Sequence, residues 1–174
     1  NGLEVPRLRE ALQAYPWDHR GLSHHFYHDP LKGHINMVSR RPENLSALEQ
    51  IGPDKVLRDY FNGLIKGVEE LDIDVLCHLD AVLRHYPGLT LRDEHWEMIE
   101  KLLDVLAANQ VALEINTSGF PIKGEPFPQL RIIESALRKN VRLIAGSDAH
   151  KPDQVAGYFE RLPEIFQTLL SKIK

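Results

Sequence analysis

Apolar residues along this chain follow two rhythms. Short apolar runs occur at residues 2–5, 20–25, 73–78, 111–116 and 141–146, and runs of that length read as strands, buried on both faces where they are continuous. Between and around them apolar residues recur at helical spacing. Leu8, Leu12 and Tyr15 mark a helix over 7–15. Val56, Tyr60, Leu64, Val68 and Leu71 mark one over 55–71, and Trp96, Ile99, Leu103 and Leu106 one over 91–108. Leu130, Ile133 and Leu137 follow Pro128, a residue suited to a first turn, and Ile165, Phe166, Leu169, Leu170 and Ile173 follow Pro163. Asp54 is placed to cap the second helix, Thr90 with Asp93 has the form of a capping box for the third, and Asn140 suits the end of the fourth. Residues 35–55 show little periodicity and read as a long loop, while Asp29-Pro30-Leu31-Lys32-Gly33 reads as a turn. Strands alternating with helices, through connections too long for hairpins, predict parallel βαβ units.

Composition narrows the class. A length of 174 residues fits one domain with a real core. The formal charge of −4 gives no general pull toward nucleic acid or an anionic membrane surface. No apolar run approaches the ~20 residues of a membrane span. Cys77, the single cysteine, cannot form an internal disulfide, so a reducing, cytoplasmic setting is expected.

The candidate chemistry lies where the apolar runs end. Leu143-Ile144-Ala145-Gly146-Ser147-Asp148-Ala149-His150 leads from a strand into an Asp-x-His pair, and side chains two positions apart leave a strand on one side. His78 ends the 73–78 run, Glu114 lies in the 111–116 run, His25 ends the second, and Glu4 sits in the first. Ligands at the ends of several strands point to one shared site on an α/β scaffold. Carboxylates and imidazoles suit Zn²⁺, Mn²⁺ or Fe²⁺, and two such ions can clamp an in-line displacement at phosphorus. Arg40 and Arg41 are candidates to meet an anionic substrate, with Ser118 beside them. A serine-nucleophile enzyme is the weaker reading, since neither Ser118 nor Ser147 lies in G-x-S-x-G.

Taken together, Gly2-Leu3-Glu4-Val5, Tyr15-Pro16-Trp17-Asp18 running to His25-Phe26, Asp74-Val75-Leu76-Cys77-His78-Leu79-Asp80, Leu113-Glu114-Ile115-Asn116-Thr117-Ser118-Gly119 and Gly146-Ser147-Asp148-Ala149-His150 resemble the PHP (polymerase and histidinol phosphatase) metal-dependent phosphoesterases, in their histidinol-phosphatase branch. The resemblance implies a distorted (β/α)7 TIM-like barrel with two or three divalent ions at the strand ends. It implies that Glu4, His25, His78, Asp148 and His150 are metal ligands, with Glu4 bridging and His25 rather than His24 in the site. It places Glu114 and Asp80 behind the ligands. The family's first motif, an H-x-H strand, is absent, as is the histidine of the strand after it. About five of seven strands are therefore expected in residues 1–174, a single PHP-type domain that is N-terminally incomplete and open to pairing with the absent segment or with a second copy. The implied activity is hydrolysis of a small phosphomonoester, as in histidine biosynthesis. The alternatives are a phosphoesterase acting on nucleotides or nucleic-acid ends, and a catalytically inactive remnant serving as an interaction domain.

Overall fold

The structure is a computed structural model that describes residues 5–86 and 89–173. Its strands are β1 (Gly21–Leu22), β2 (Phe26–Asp29), β3 (Gly33–Asn36), β4 (Val75–Leu76), β5 (Ala112–Asn116) and β6 (Leu143–Gly146). Four of them form a parallel sheet in the order β1-β4-β5-β6, and β2 pairs with β3 as an antiparallel hairpin. The four-stranded sheet is open among the described residues. Leu22 ends the strand expected over 20–25, and residues 23–25 leave the sheet toward the hairpin. Residues 2–4 of the expected first strand lie outside the described residues, and Val5 opens a helix, α1 (Val5–Gln13).

Two expectations fail for local reasons. The hairpin breaks the rule of long connections because the Asp29 carboxylate accepts the N–H groups of Leu31 at 2.9 Å and Lys32 at 2.8 Å. Gly33 then takes the left-handed φ of 75° that brings the chain back. Tyr27 and Ile35 face inward and are buried, which fixes the register. The supposed loop over 35–55 instead holds the end of β3, a helix α2 (Pro42–Ile51) and the start of α3 (Pro53–Glu70). Leu45, Leu48 and Ile51 supply a short apolar stripe there, hidden in sequence by the turn residues on both sides.

Asp54 does not cap α3. Gly52, at φ 100°, precedes the helix, Pro53 opens it, and Asp54 in the first turn pairs with Arg92 instead. The following helix, α4 (Asp93–Ala108), opens after Arg92, whose backbone N–H donates to His95 Nδ1 at 3.1 Å. That single bond, from the Arg92 backbone to the His95 side chain, is the cap, two residues on from the Thr90–Asp93 box expected from sequence. A short turn α5 (Phe120–Lys123) precedes α6 (Leu130–Arg138), which starts after Gln129 rather than at Pro128. Asn140 takes φ 58° just beyond its end, where the N–H reaches Leu137 O at 3.1 Å. The last helix, α7 (Leu162–Ile173), carries Pro163 in its first turn.

The main core lies between α3, α4 and the sheet, where Leu57, Tyr60, Leu64, Leu76, Leu103, Leu106 and Leu113 are almost wholly buried. Ile115, Phe120, Ile133, Leu162 and Leu169 form a second, smaller cluster under α6 and α7. Because the four strands are parallel, they deliver the residues after β4, β5 and β6 to one edge. No helix among the described residues is long and apolar enough to cross a membrane.

Candidate active site

His78 follows β4 directly and holds a left-handed φ of 54°. Its carbonyl accepts the Tyr60 hydroxyl at 2.9 Å, and its N–H donates to Glu114 Oε2 at 3.1 Å. The Glu114 carboxylate, on β5, also lies 3.1 Å from His78 Nδ1. The room for it comes from Gly146 on the neighbouring strand, where a Cβ would stand 2.2 Å from Glu114 Oε1. Burial pushes the Glu114 carboxyl up, but the hydrogen bonds and charge of His78, with a bond from Asn116, outweigh it and hold the group below the usual carboxylate range.

Three side chains converge on His78 Nδ1. Asn116 Oδ1 accepts Ser118 N at 3.0 Å and Ser118 Oγ at 2.6 Å, so the Asn116 amide nitrogen is the atom facing His78 Nδ1, at 3.1 Å. Arg84 Nη2 approaches the same Nδ1 at 3.2 Å. Glu114 is the one acceptor among these neighbours: a proton on Nδ1 is donated to it, whereas a bare Nδ1 accepts from Asn116 or Arg84 instead. Nε2 lies 3.8 Å from Asp148 Oδ1 and offers a lone pair to a metal when the proton is on Nδ1. A carboxylate behind an imidazole, with the far nitrogen open, is the arrangement that orients a histidine for a metal.

Asp148 follows β6 and also takes a left-handed φ, 52°. His25 stacks on His78 with ring centres 5.3 Å apart, and burial, followed by the charges of His78 and Arg84, pushes its pKa down. His24 points elsewhere: its ring lies on Tyr60, with centres 5.3 Å apart, and its edge packs on Gly63. The structure thus brings His25, His78, Glu114 and Asp148 together. His150 is exposed and tied to its own loop, with Nδ1 2.7 Å from the Asp148 carbonyl and its N–H on Gln154 Oε1 at 2.9 Å. Glu4 lies outside the described residues.

Arg84 is the side chain that sequence reading missed. It stands four residues after Asp80 on the turn around Ala81–Leu83, and Asp80, 3% exposed, accepts from its Nε and Nη2 at 3.4 Å each. Burial pushes the Asp80 carboxyl up, against the pull of Arg84 and Lys123. The Arg84 guanidinium lies over the Phe127 ring at 4.2 Å and reaches within 3.9 Å of Asp148 Oδ2. Lys123 lies over the same ring at 5.2 Å. Phe127 is pinned by a two-bond bridge to Asn116, of 2.7 and 2.9 Å. The only sequence trace of Arg84 is its i+4 spacing from Asp80. Arg40 and Arg41 are both exposed; the charge of Arg40 is felt at His85, and Arg41 precedes α2. Ser118 spends its hydroxyl on Asn116, which makes it a positioning group in this geometry.

Ligand-type atoms of Asp54, Glu94 and His95 also lie within 4.8 Å of one another, in the first turns of α3 and α4. A cation already sits there: Arg92 pairs with Asp54 and, at 2.7 Å, with Glu94. His95 Nδ1 accepts the Arg92 N–H, so its proton is on Nε2, which is buried 3.7 Å from Asp54 Oδ1 and 3.8 Å from Glu94 Oε1 without a hydrogen bond. The group links the starts of α3 and α4.

A parallel α/β sheet that gathers imidazoles and carboxylates at the carboxyl ends of its strands defines a protein of the TIM-barrel-like class, with its site where that class carries it. The chain belongs to the PHP domain family, which matches residues 8–118. Proteins described as "probable histidinol-phosphatase" are similar to it. The one from Thermotoga maritima is 33% identical over 115 residues, covering 66% of this chain and 48% of that protein. The one from Deinococcus radiodurans is 29% identical over 121 residues, covering 68% and 44%. The chain thus spans about half the length of the curated relatives it matches. Among solved structures, HisK from Listeria monocytogenes superposes with a TM-score of 0.75 at 18% identity, covering 90% of this chain and 63% of that one. Histidinol phosphate phosphatase from Lactococcus lactis, solved with zinc, L-histidinol and phosphate, gives a TM-score of 0.65 at 18% identity, covering 99% and 63%. These likenesses establish the fold as that of the PHP histidinol-phosphatase barrels.

Proposed function

We propose that the chain carries the strand-end half of a metal-dependent phosphomonoesterase site of the histidinol-phosphatase kind. The observation that carries this is the line Glu114–His78–Asp148, with His78 Nε2 left open toward the Asp148 carboxylate. The donor set fits a divalent ion of the zinc, manganese or iron type: His25, His78 and Asp148 would hold it, with His150 and Glu4 as further candidates. Ions bound there supply Lewis acidity and a water activated at neutral pH. The protein's own part is to orient and to balance charge. With Nε2 on an ion, the His78 proton would lie on Nδ1, where Glu114 is its acceptor. Arg84, held by Asp80 and Phe127, presents a guanidinium beside Asp148, where a phosphoryl group with its excess negative charge would lie. Lys123 and Arg40 add positive charge on the same side. The relatives' names and the zinc, histidinol and phosphate of the Lactococcus protein support a small phosphorylated substrate related to histidinol phosphate.

The test is hydrolysis of histidinol phosphate and of an aryl phosphate by the purified chain, with Zn²⁺ or Mn²⁺ added, beside His78→Ala and Arg84→Met. Turnover that is lost in His78→Ala and lowered ~100-fold in Arg84→Met, mainly at the phosphate-binding or transition-state step, supports the reading. A chain that takes up no metal at these residues is the inactive interaction domain instead. Faster turnover of nucleotides than of histidinol phosphate would move the substrate to that class.

A further inference from the structure

We propose a second transition-metal site, separate from the strand ends, on the outer face of the β2–β3 hairpin and held by His28 and His34. The two residues are direct register partners across the antiparallel pair. They alternate with the buried Tyr27 and Ile35, so both project to the exposed side. Their ring centres lie 5.1 Å apart, with the planes tilted by 48°.

That separation has a chemical meaning. An imidazole nitrogen binds zinc at ~2.0–2.1 Å, which puts the ion ~3.2 Å from the ring centre along the lone pair; two rings on one ion at the tetrahedral angle then have centres ~5.2 Å apart. The observed spacing of 5.1 Å agrees with that value. Among the described residues no hydrogen bond or ion pair engages a ring nitrogen of either histidine. The edge of Phe26 lies against His34, with ring centres 6.5 Å apart, and narrows the orientations that ring can take.

The support beneath is stiff. The Asp29 turn closes the hairpin at one end, the Met37 N–H donates to the His25 carbonyl at 2.8 Å at the other, and Tyr27 Oη donates to Asp59 at 2.7 Å from the inner face. Two rings already paired across a braced ladder lose little freedom on chelation. Imidazole donors favour Cu²⁺, Ni²⁺ and Zn²⁺, and two protein ligands leave the remaining positions of the ion to water. His25 does not share the site, since it precedes the hairpin and stacks on His78.

The experiment uses the full chain with His28→Gln, His34→Gln and the double variant. Bound Zn²⁺ and Ni²⁺ per chain are measured by equilibrium dialysis, and imidazole nitrogen resonances are followed as metal is added to the wild type. One equivalent more in the wild type than in any of the three variants is expected, with the His28 and His34 resonances moving together. Phosphatase turnover is expected to be the same in all four proteins, so loss of the strand-end reading would leave this result intact. Equal metal in the wild type and the double variant, or His28 and His34 resonances that stay still with stoichiometric metal, overturns the site. The wild-type resonances decide the matter even where a variant folds poorly.

Discussion

Gly146 shows how tightly the site is set at the scale of one residue. It leaves space that the Glu114 carboxylate fills, so Gly146→Ala is expected to push Glu114 off His78. Metal affinity or turnover should fall by ~10–100-fold, as for loss of a group that orients a ligand. Zinc titration followed calorimetrically checks this, and Glu114→Gln should fall in the same range; an unchanged affinity in both would show that Glu114 does not orient His78. Tyr60→Phe removes a hydroxyl from the His78 carbonyl, which keeps the Ala81 N–H at 2.9 Å. Its cost should therefore lie near the low end of ~0.5–1.5 kcal/mol, read from urea midpoints. His78 and Asp148 were legible in sequence because each follows an apolar run and carries ligand chemistry. Arg84 was not legible, because its role depends on a turn that swings it back past Asp80 onto Phe127, and nothing local marks that turn.

At the scale of elements, the cap between α3 and α4 makes a pH prediction. Burial lowers the pKa of His95, against the pull of Glu94 and Asp54 and together with the push of Arg92 and Arg58. His24 is lowered as well, first by burial. A histidine that is harder to protonate in the fold than in the unfolded chain stabilises the fold fully above ~6.5, and that stability is lost as the pH falls through the lowered value. Stability should thus drop on acidification below neutrality. In His95→Gln the drop should be shallower, because glutamine at this position can still accept the Arg92 N–H without titrating. Urea midpoints at pH 7.5 and 5.5 for both proteins give the slope; equal slopes would exclude His95 as a contributor. The long helices were readable from their 3.6-residue stripes. The hairpin and α2 were missed, since Asp29 and Gly33, like Pro42 and Gly52, are punctuation that marks a break without saying what lies beyond it.

Over the whole molecule, stability and chemistry are carried by different parts. Leu103 is fully buried between α4 and its neighbours, far in sequence from any candidate ligand. Leu103→Ala should cost ~2–5 kcal/mol of unfolding free energy. Below its unfolding midpoint it should keep the metal stoichiometry of the wild type, which thermal melts paired with metal analysis would establish. The parallel class and the strand-end location of the site were legible because alternating strand and helix periods leave few topologies open. The extent of each strand was not. β1 and β4 are two residues long, and Arg20 and Asp74, which precede them, pair with each other instead of extending an apolar run.

The left-handed backbone at His78 and Asp148 places local strain at the site itself. For residues with a Cβ that conformation costs of order 1 kcal/mol each, and glycine removes the cost. His78→Gly and Asp148→Gly should each relieve that strain while removing the side chains. The side chains that reach the site from the ends of β4 and β6 are thus held there at a local backbone cost that a glycine would not meet.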